Sequence, residues 1–153
     1  MNDKELKQII NHYQRAPLAI LERIKVQWAC GEFSKHHSRD IDGYDVYWTD
    51  TKELVEQVAF GNMDRGEINY KKLFGNGPTS DQRIALTLHH WENGQYMDLP
   101  ELGGINFGKL TIGDGRHRTI AAYHLGEKQM PIAIPKELTK DVQILIHLRK
   151  QAL

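Results

Sequence analysis

The first fifteen residues have the apolar spacing of an amphipathic helix. The apolar side chains recur at intervals of three and four and share one helical face; they are Leu6, Ile9, Ile10 and Tyr13. Asp3 is the predicted N-cap, because its carboxylate can accept from unpaired amides of the first turn. The helix should end near 15–16, since Pro17 disfavours helical geometry in the residue before it. A short second helix is predicted over 18–23.

Two segments are predicted to be the first strands. Residues 24–28 alternate between apolar and polar side chains, as expected for a strand that buries one face, and 44–48 has strong strand propensity. The polar, turn-rich residues 29–43 between them are predicted to form a loop. Farther along, 95–102 and 106–112 are predicted to be strands that flank a glycine-rich connection.

Outside the segment 109–134, three helices are predicted in the remainder of the chain. Two begin at pairs with the spacing of a capping box, Asp50 with Glu53 and Thr79 with Gln82. The first should end at Phe60. The second should end at Asn93-Gly94 with three residues turned inward, Ile84, Leu88 and Trp91. Between them, 61–78 is mostly connection, with one helical turn or a short strand at 68–74. Thr139 or Asp141 is expected to cap a terminal helix whose apolar residues are Val142, Leu145, Ile146 and Leu148.

The most distinctive segment is 109–134, which is predicted to form a strand, a polar loop, a helix, a turn and a second strand. The loop at 113–118 has the sequence Gly-Asp-Gly-Arg-His-Arg, with its charge at the point where strand passes to helix. The first amides of a helix lack internal partners and its dipole favours anions, so such a junction is suited to phosphate. The alternative is a tight turn with solvated basic side chains.

This segment resembles the signature of the ParB/sulfiredoxin superfamily over about residues 95–135. The matching features are Asp114, Gly115, His117, Arg118, the helix 119–125, Gly126 and the strand 130–134. The resemblance implies a small α+β domain with a mixed sheet packed with helices. The length of the chain and the lack of a linker indicate a single domain, 1–153, to which the predicted N-terminal helices are added. It also implies a loop that faces nucleotide phosphates. Members of the superfamily bind and hydrolyse CTP, repair oxidised cysteine with ATP, phosphorylate free serine or act as nucleases.

Sulfiredoxin activity is not expected of this chain. That chemistry requires a nucleophilic cysteine in the loop, where this sequence has Arg116. The one cysteine, Cys30, lies far upstream beside Trp28 and is interpreted as a small buried residue.

The loop residues are assigned as candidate site residues with alternatives left open. Asp114 and His117 are the candidate catalytic residues, for metal or water positioning and for acid–base chemistry; an Asx turn and a hydrogen-bonded structural histidine are the alternatives. The candidate phosphate-binding residues are Gly115, Arg116, His117, Arg118 and Thr119. Gly115 should supply a positive φ or room for a phosphate. Thr119 could equally be a helix cap.

The two loop arginines are expected to face different directions. Arg116 and Arg118 are two positions apart, so their side chains should diverge by about 200° on a helix of 3.6 residues per turn. One is therefore expected to face the ligand while the other contacts the fold. The resemblance favours Arg118 as the phosphate or structural contact.

The composition of the chain indicates which kinds of partner are expected. Lysine plus arginine and aspartate plus glutamate both number 20, so no overall positive charge draws the chain to nucleic acid. A single cysteine suits a reducing compartment, and no apolar run approaches the length of a membrane span. A cytoplasmic protein without a membrane partner is expected. The histidine pairs at 36–37 and 89–90 lack further ligands at motif spacing, so no protein metal site is predicted.

Together these features predict a nucleotide-binding protein that hydrolyses or transfers a phosphate of a nucleoside triphosphate with Mg²⁺. One alternative is a non-catalytic regulatory or interaction protein of plasmid, phage or defence context, with a protein partner. The other is a DNA-associated ParB-like nuclease. This last alternative is disfavoured by the neutral charge and by the lack of a helix-turn-helix segment after the signature.

Overall fold

Short strands and helices alternate along the chain in the computed structural model, which describes residues 1–29, 43–62 and 66–153. Within these ranges the helices are α1 (Asp3–Arg15), α2 (Leu18–Leu21), α3 (Thr51–Gln57), α4 (Pro78–Glu92), α5 (Arg116–His124) and α6 (Thr139–Leu145). The strands are β1 (Trp28–Ala29), β2 (Tyr44–Asp50), β3 (Gly61–Asn62), β4 (Gly66–Glu67), β5 (Met97–Asp98), β6 (Glu101–Asn106), β7 (Lys109–Asp114) and β8 (Gln129–Pro135). The predicted α+β class and its mixed sheet are confirmed.

The main sheet has four strands in the order β2-β8-β6-β7. β8 pairs antiparallel with β2 over its full length, from Tyr44 opposite Pro135 to Asp50 opposite Gln129. It pairs in parallel with β6, which in turn pairs antiparallel with β7. Residues 130–135 of β8 are all buried, as an apolar strand in the middle of a covered sheet should be. Two smaller pairs, β1 with β5 and β3 with β4, lie outside this sheet.

Helix α5 is held in the core between the sheet and the other helices. Ala121 and Ala122 are fully buried, and such small residues let a helix backbone approach its neighbours closely. α5 packs against both α3 and α4. The largest fully buried side chains around these elements include Leu54, Leu88, Trp91, Leu110, Ile120 and Ile132. The start of α5 is therefore anchored by apolar packing.

The predicted capping residues are mostly wrong. The N-cap of α1 is Asn2, whose Oδ1 accepts from the Glu5 amide at 2.9 Å, and Asp3 is the first helical residue. Neither predicted capping box forms its side-chain hydrogen bonds, although Asp50 does occupy the N-cap position of α3. Glu53 accepts instead from the His147 amide at 2.6 Å, and Asp50 pairs with Arg149 at 3.0 Å. Both side chains bind residues that are distant in sequence, His147 and Arg149, and not the amides of the first helical turn.

Helices α4 and α6 also begin differently from the predictions. α4 begins at Pro78 after Gly77, and no side chain at 79 or 82 caps it. Asp81, in its first turn, accepts from the Gly75 and Asn76 amides at 2.9 and 3.3 Å. Thr139 is the first residue of α6, and no side chain caps that helix either. The inward residues predicted for α4, Ile84, Leu88 and Trp91, are confirmed as buried.

Several predicted boundaries shift because backbone groups pair elsewhere. α3 ends at Gln57, since the Ala59 amide donates to the Leu110 carbonyl at 2.9 Å and draws 58–60 out of the helix. α6 ends at Leu145, and the chain beyond it pairs Arg149 with Trp48 through two backbone hydrogen bonds. The segment 68–74 forms turns and bends only.

The strand predictions also need correction. Of the strand expected at 24–28, only Trp28 forms part of a strand, the two-residue β1. The Gly103-Gly104 pair lies inside β6, and the connection to β7 is the turn 107–108. A Cβ at Gly103 would lie 3.1 Å from the Gly113 nitrogen, so the close approach of the strands explains the glycine there. Most of the loop predicted at 29–43, with Cys30, lies outside the described residues.

The buried phenol of Tyr13 gives α1 a pH-dependent attachment to α4. Tyr13 is 2% exposed, and its hydroxyl donates to Glu92 Oε1 at 2.8 Å. Burial raises the pKa of Tyr13 well above its ordinary value of 10, and Glu92 adds to the effect through the hydrogen bond and its charge. The folded protein therefore keeps this proton to higher pH than the unfolded chain does.

We expect the contribution of Tyr13 to the free energy of unfolding to be constant below pH 10. Above pH 10 the free energy of unfolding should fall, because the Tyr13 hydroxyl then ionises readily only in the unfolded chain. Tyr13→Phe should flatten this alkaline decline and lower stability at neutral pH by about 1 kcal/mol through the lost hydrogen bond. Urea denaturation between pH 8 and 11 measures both effects. Parallel pH profiles for the two proteins would contradict the assignment.

Candidate functional site

The predicted strand-to-helix junction is present at 114–116. β7 ends at Asp114, Gly115 adopts the left-handed conformation with φ +97°, and α5 begins at Arg116. The positive φ expected of Gly115 is confirmed. A Cβ there would lie 2.9 Å from Pro100 Cα and 3.0 Å from Arg118 Nη2. The space beside this glycine therefore holds Pro100 and Arg118, which makes Gly115 a residue that shapes the junction.

Arg118 is the central charged group of the junction. Its Nη2 lies 3.2 Å from Asp114 Oδ2; the Arg118 side chain is 17% exposed and that of Asp114 is 47% exposed. Despite this ion pair, Arg118 Nε and Nη2 are buried without an aligned hydrogen-bond acceptor among the residues described. Buried guanidinium donors are nearly always hydrogen-bonded, so Arg118 has unused capacity to donate.

Arg118 also lines a cavity of about 520 Å³. The other lining residues come from the two paired strands β1 and β5 and their borders: Trp28, Ala29, Tyr96, Met97 and Asp98. A volume of this size is within the range of small-molecule sites. We call this space the Arg118 cavity.

Two of the six described lining residues of the Arg118 cavity are aromatic, Trp28 and Tyr96. Trp28 is held by edge-on packing against the buried Trp91, with ring centroids 5.3 Å apart and planes at 80°. Tyr96 is 64% exposed, although it is a large aromatic residue. Aromatic faces on a pocket wall suit a flat, unsaturated ligand, and an arginine beside them suits an anion.

Asp98 is the acidic group of the Arg118 cavity. It is partly buried, and its carboxylate makes no hydrogen bond or ion pair with any residue in the part of the chain that the structure describes. An ionised carboxylate only accepts hydrogen bonds. Among the described lining residues, Arg118 is therefore the positively charged donor and Asp98 the negatively charged acceptor.

The other predicted site residues make internal contacts. Arg116 Nη1 donates to the Phe60 carbonyl at 3.1 Å, so the two loop arginines have different surroundings, as their spacing predicts. His117 is 9% exposed, and its Nε2 lies 3.1 Å from Ser80 Oγ on α4. Thr119 is fully buried and donates through its hydroxyl to the Gly115 carbonyl at 2.9 Å. Of the predicted site residues, the structure thus brings Asp114 and Arg118 together and places Arg118 in the lining of the cavity.

Three of the residues lining the cavity were missed by the sequence interpretation. Trp28 was assigned to a strand, and Tyr96 and Asp98 to another, without any functional role. They become neighbours because Trp28 pairs with Met97 in the two-stranded β1–β5 ladder. No local motif joins positions that are almost seventy residues apart in sequence, so no signal in a single sequence could have indicated them.

The paired histidines contact nearby polar groups. His90 Nδ1 contacts Gln95 Oε1, and His89 Nδ1 lies 3.3 Å from Asn93 Nδ2; the pair at 36–37 lies outside the described residues. Across residues 1–29, 43–62 and 66–153, no group of three or more histidine, cysteine, aspartate or glutamate side chains is arranged to hold a metal ion. In the same ranges, no helix has the length and apolar character needed to cross a bilayer.

Comparison with known proteins gives no information about the site. No protein-family model matches the chain, and no curated protein or solved structure is significantly similar to it. The α+β class rests on the structure. Membership of the ParB/sulfiredoxin superfamily stays a prediction from about residues 95–135.

Proposed function

We propose that this protein binds a nucleotide in the Arg118 cavity and hydrolyses or transfers one of its phosphates with Mg²⁺. The observation that carries the proposal is that Arg118, on the first turn of the helix after the glycine junction, lines a 520 Å³ cavity with aromatic walls. Trp28 and Tyr96 are suited to stack on a base, and the guanidinium is suited to a phosphate. The resemblance to the ParB/sulfiredoxin superfamily supports the same interpretation.

The phosphate end of the ligand is assigned to Arg118 and the start of α5. Arg118 Nε and Nη2 are buried and have no aligned acceptor among the described residues, so a phosphate oxygen could accept their hydrogen bonds. The positive end of the α5 dipole adds to the attraction. A phosphate here would compete with Asp114 for the same guanidinium.

The donor set around the cavity fits Mg²⁺ only in company with a nucleotide. Mg²⁺ is commonly held by one or two carboxylates together with substrate phosphates. Asp114, half exposed and against Arg118, is the residue that we assign to the ion. The ion would neutralise charge on the phosphate oxygens.

A second candidate function is nucleotide binding without turnover. His117 Nε2 could act as an acid or base only after it left Ser80, and the Thr119 hydroxyl proton is used by the Gly115 carbonyl. These contacts favour a binding role of the loop over a catalytic one, as in the alternative of a non-catalytic regulatory protein. Magnesium-dependent phosphate release separates the two candidates.

A thermal-shift screen of nucleoside triphosphates with and without Mg²⁺ tests the proposal. A ligand at 100 times its dissociation constant should stabilise the native state by about 2.7 kcal/mol. For a chain of this length, each kcal/mol raises Tm by roughly 2–4 °C, so a shift of about 5 °C or more is expected. Inorganic phosphate alone should give a smaller shift, since it cannot stack on the aromatic walls. If no nucleotide moves Tm at millimolar concentration, the proposal is wrong.

A further inference from the structure

The Arg118 cavity offers a ligand two described side chains of opposite charge. Arg118 is donor-only and positive, whereas Asp98 is acceptor-only and negative. Trp28 and Tyr96 supply the aromatic surface of the same cavity. A complementary ligand therefore carries an anionic group for Arg118, a flat ring system for the aromatic side chains, and N–H donors for Asp98.

We propose that Asp98 selects guanine, so that the ligand is a guanine nucleotide with its phosphates on Arg118. This inference rests on the proposed function and names the base that the same site takes. Guanine presents two adjacent donors, N1–H and the 2-amino group, which match the two oxygens of a carboxylate in a bidentate pair. The Asp98 carboxylate makes no hydrogen bond or ion pair with the other described residues, so neither of its oxygens is engaged by them.

The other common bases fit a carboxylate less well. Adenine places the N1 acceptor beside its amino group, and cytosine places the N3 acceptor beside its own, so one carboxylate oxygen would face a lone pair. Uracil offers N3–H, but carbonyl oxygens flank it on both sides. When an Asp98 oxygen faces a lone pair of the base, it loses a hydrogen bond and is repelled, so that base binds weakly. Asp98 is only partly buried, which keeps this discrimination below that of a fully enclosed site.

Equilibrium competition with Mg²⁺ present, using a fluorescent GTP analogue, measures the preference. GTP is expected to bind about 10-fold or more tighter than ATP, CTP or UTP, with ITP, which lacks the 2-amino group, in between. Asp98→Asn should reverse part of this preference. Its amide can donate to the 2-carbonyl of xanthine and accept from N1–H, so the variant should gain affinity for XTP while losing it for GTP.

Asp141→Asn is the matched control, because Asp141 is an exposed aspartate on α6; it should keep the wild-type order. Equal affinities for all nucleotides, a preference for ATP or CTP, or an Asp98→Asn protein that still favours GTP over XTP would each overturn the guanine assignment and leave the proposed function in place. Failure of every nucleotide to bind would reject the proposed function itself.

Discussion

Replacing Gly115 with alanine is expected to lower the free energy of unfolding by about 3 kcal/mol. The left-handed backbone at φ +97° costs an L-residue roughly 1–2 kcal/mol. The new Cβ would also lie 2.9 Å from Pro100 Cα, a contact with backbone that cannot rotate away, and overpacking of this kind costs about 1–3 kcal/mol. Urea denaturation followed by circular dichroism measures the change.

Gly126→Ala is the matched control for this prediction. Gly126 also has a positive φ, +85°, but a Cβ there would meet no atom within 4 Å. It should therefore lose about 1–2 kcal/mol from the backbone conformation alone. Equal losses for the two variants would show that the space beside Gly115 is not filled as described.

Arg118→Ala is expected to weaken nucleotide binding by about 10- to 100-fold, which corresponds to the roughly 1.5–3 kcal/mol of a hydrogen bond from a charged donor. Arg118→Lys should recover only part of the loss, because a point charge cannot make the forked contact of a guanidinium. Calorimetric titration with GTP and with ATP, each with Mg²⁺, measures the affinities. Any magnesium-dependent phosphate release should fall in parallel.

The control for this variant is Arg83→Ala, which removes an exposed arginine from α4. Its affinity should equal that of the wild type. Far-ultraviolet circular dichroism and urea denaturation establish that Arg118→Ala is folded, since its lost partner Asp114 is half exposed and can be solvated. Unchanged affinity in a folded Arg118→Ala protein would remove Arg118 from the site.

The features that could be predicted from the sequence are those that depend on neighbouring residues. The junction from β7 to α5 follows from a glycine between a strand and an alanine-rich helix, and the helix ends before Gly126 as predicted. The divergence of Arg116 from Arg118 follows from helical geometry alone. Such features depend on residues within one or two turns of each other.

Features that depend on residues distant in sequence were not predicted. Glu53 and Asp50 have good capping-box spacing, yet the segment at 147–149 provides stronger partners for both. In the same way, the Arg118 cavity depends on the pairing of Trp28 with Met97. A single sequence predicted the charged end of the candidate site and not its aromatic walls, because those walls come from another part of the fold.

The most direct test of the central claim, that the Arg118 cavity is the nucleotide site, is a ¹H–¹⁵N NMR titration with GTP or ATP and Mg²⁺. The predicted result is a set of saturable shifts confined to the Arg118 side chain, the Trp28 indole and the Tyr96 and Asp98 amides. The Arg118 Nε–H should move most, since it gains an acceptor. Saturable shifts that leave Arg118 and Trp28 unmoved and cluster elsewhere, for example around His89 and Glu92 between α1 and α4, would contradict the account.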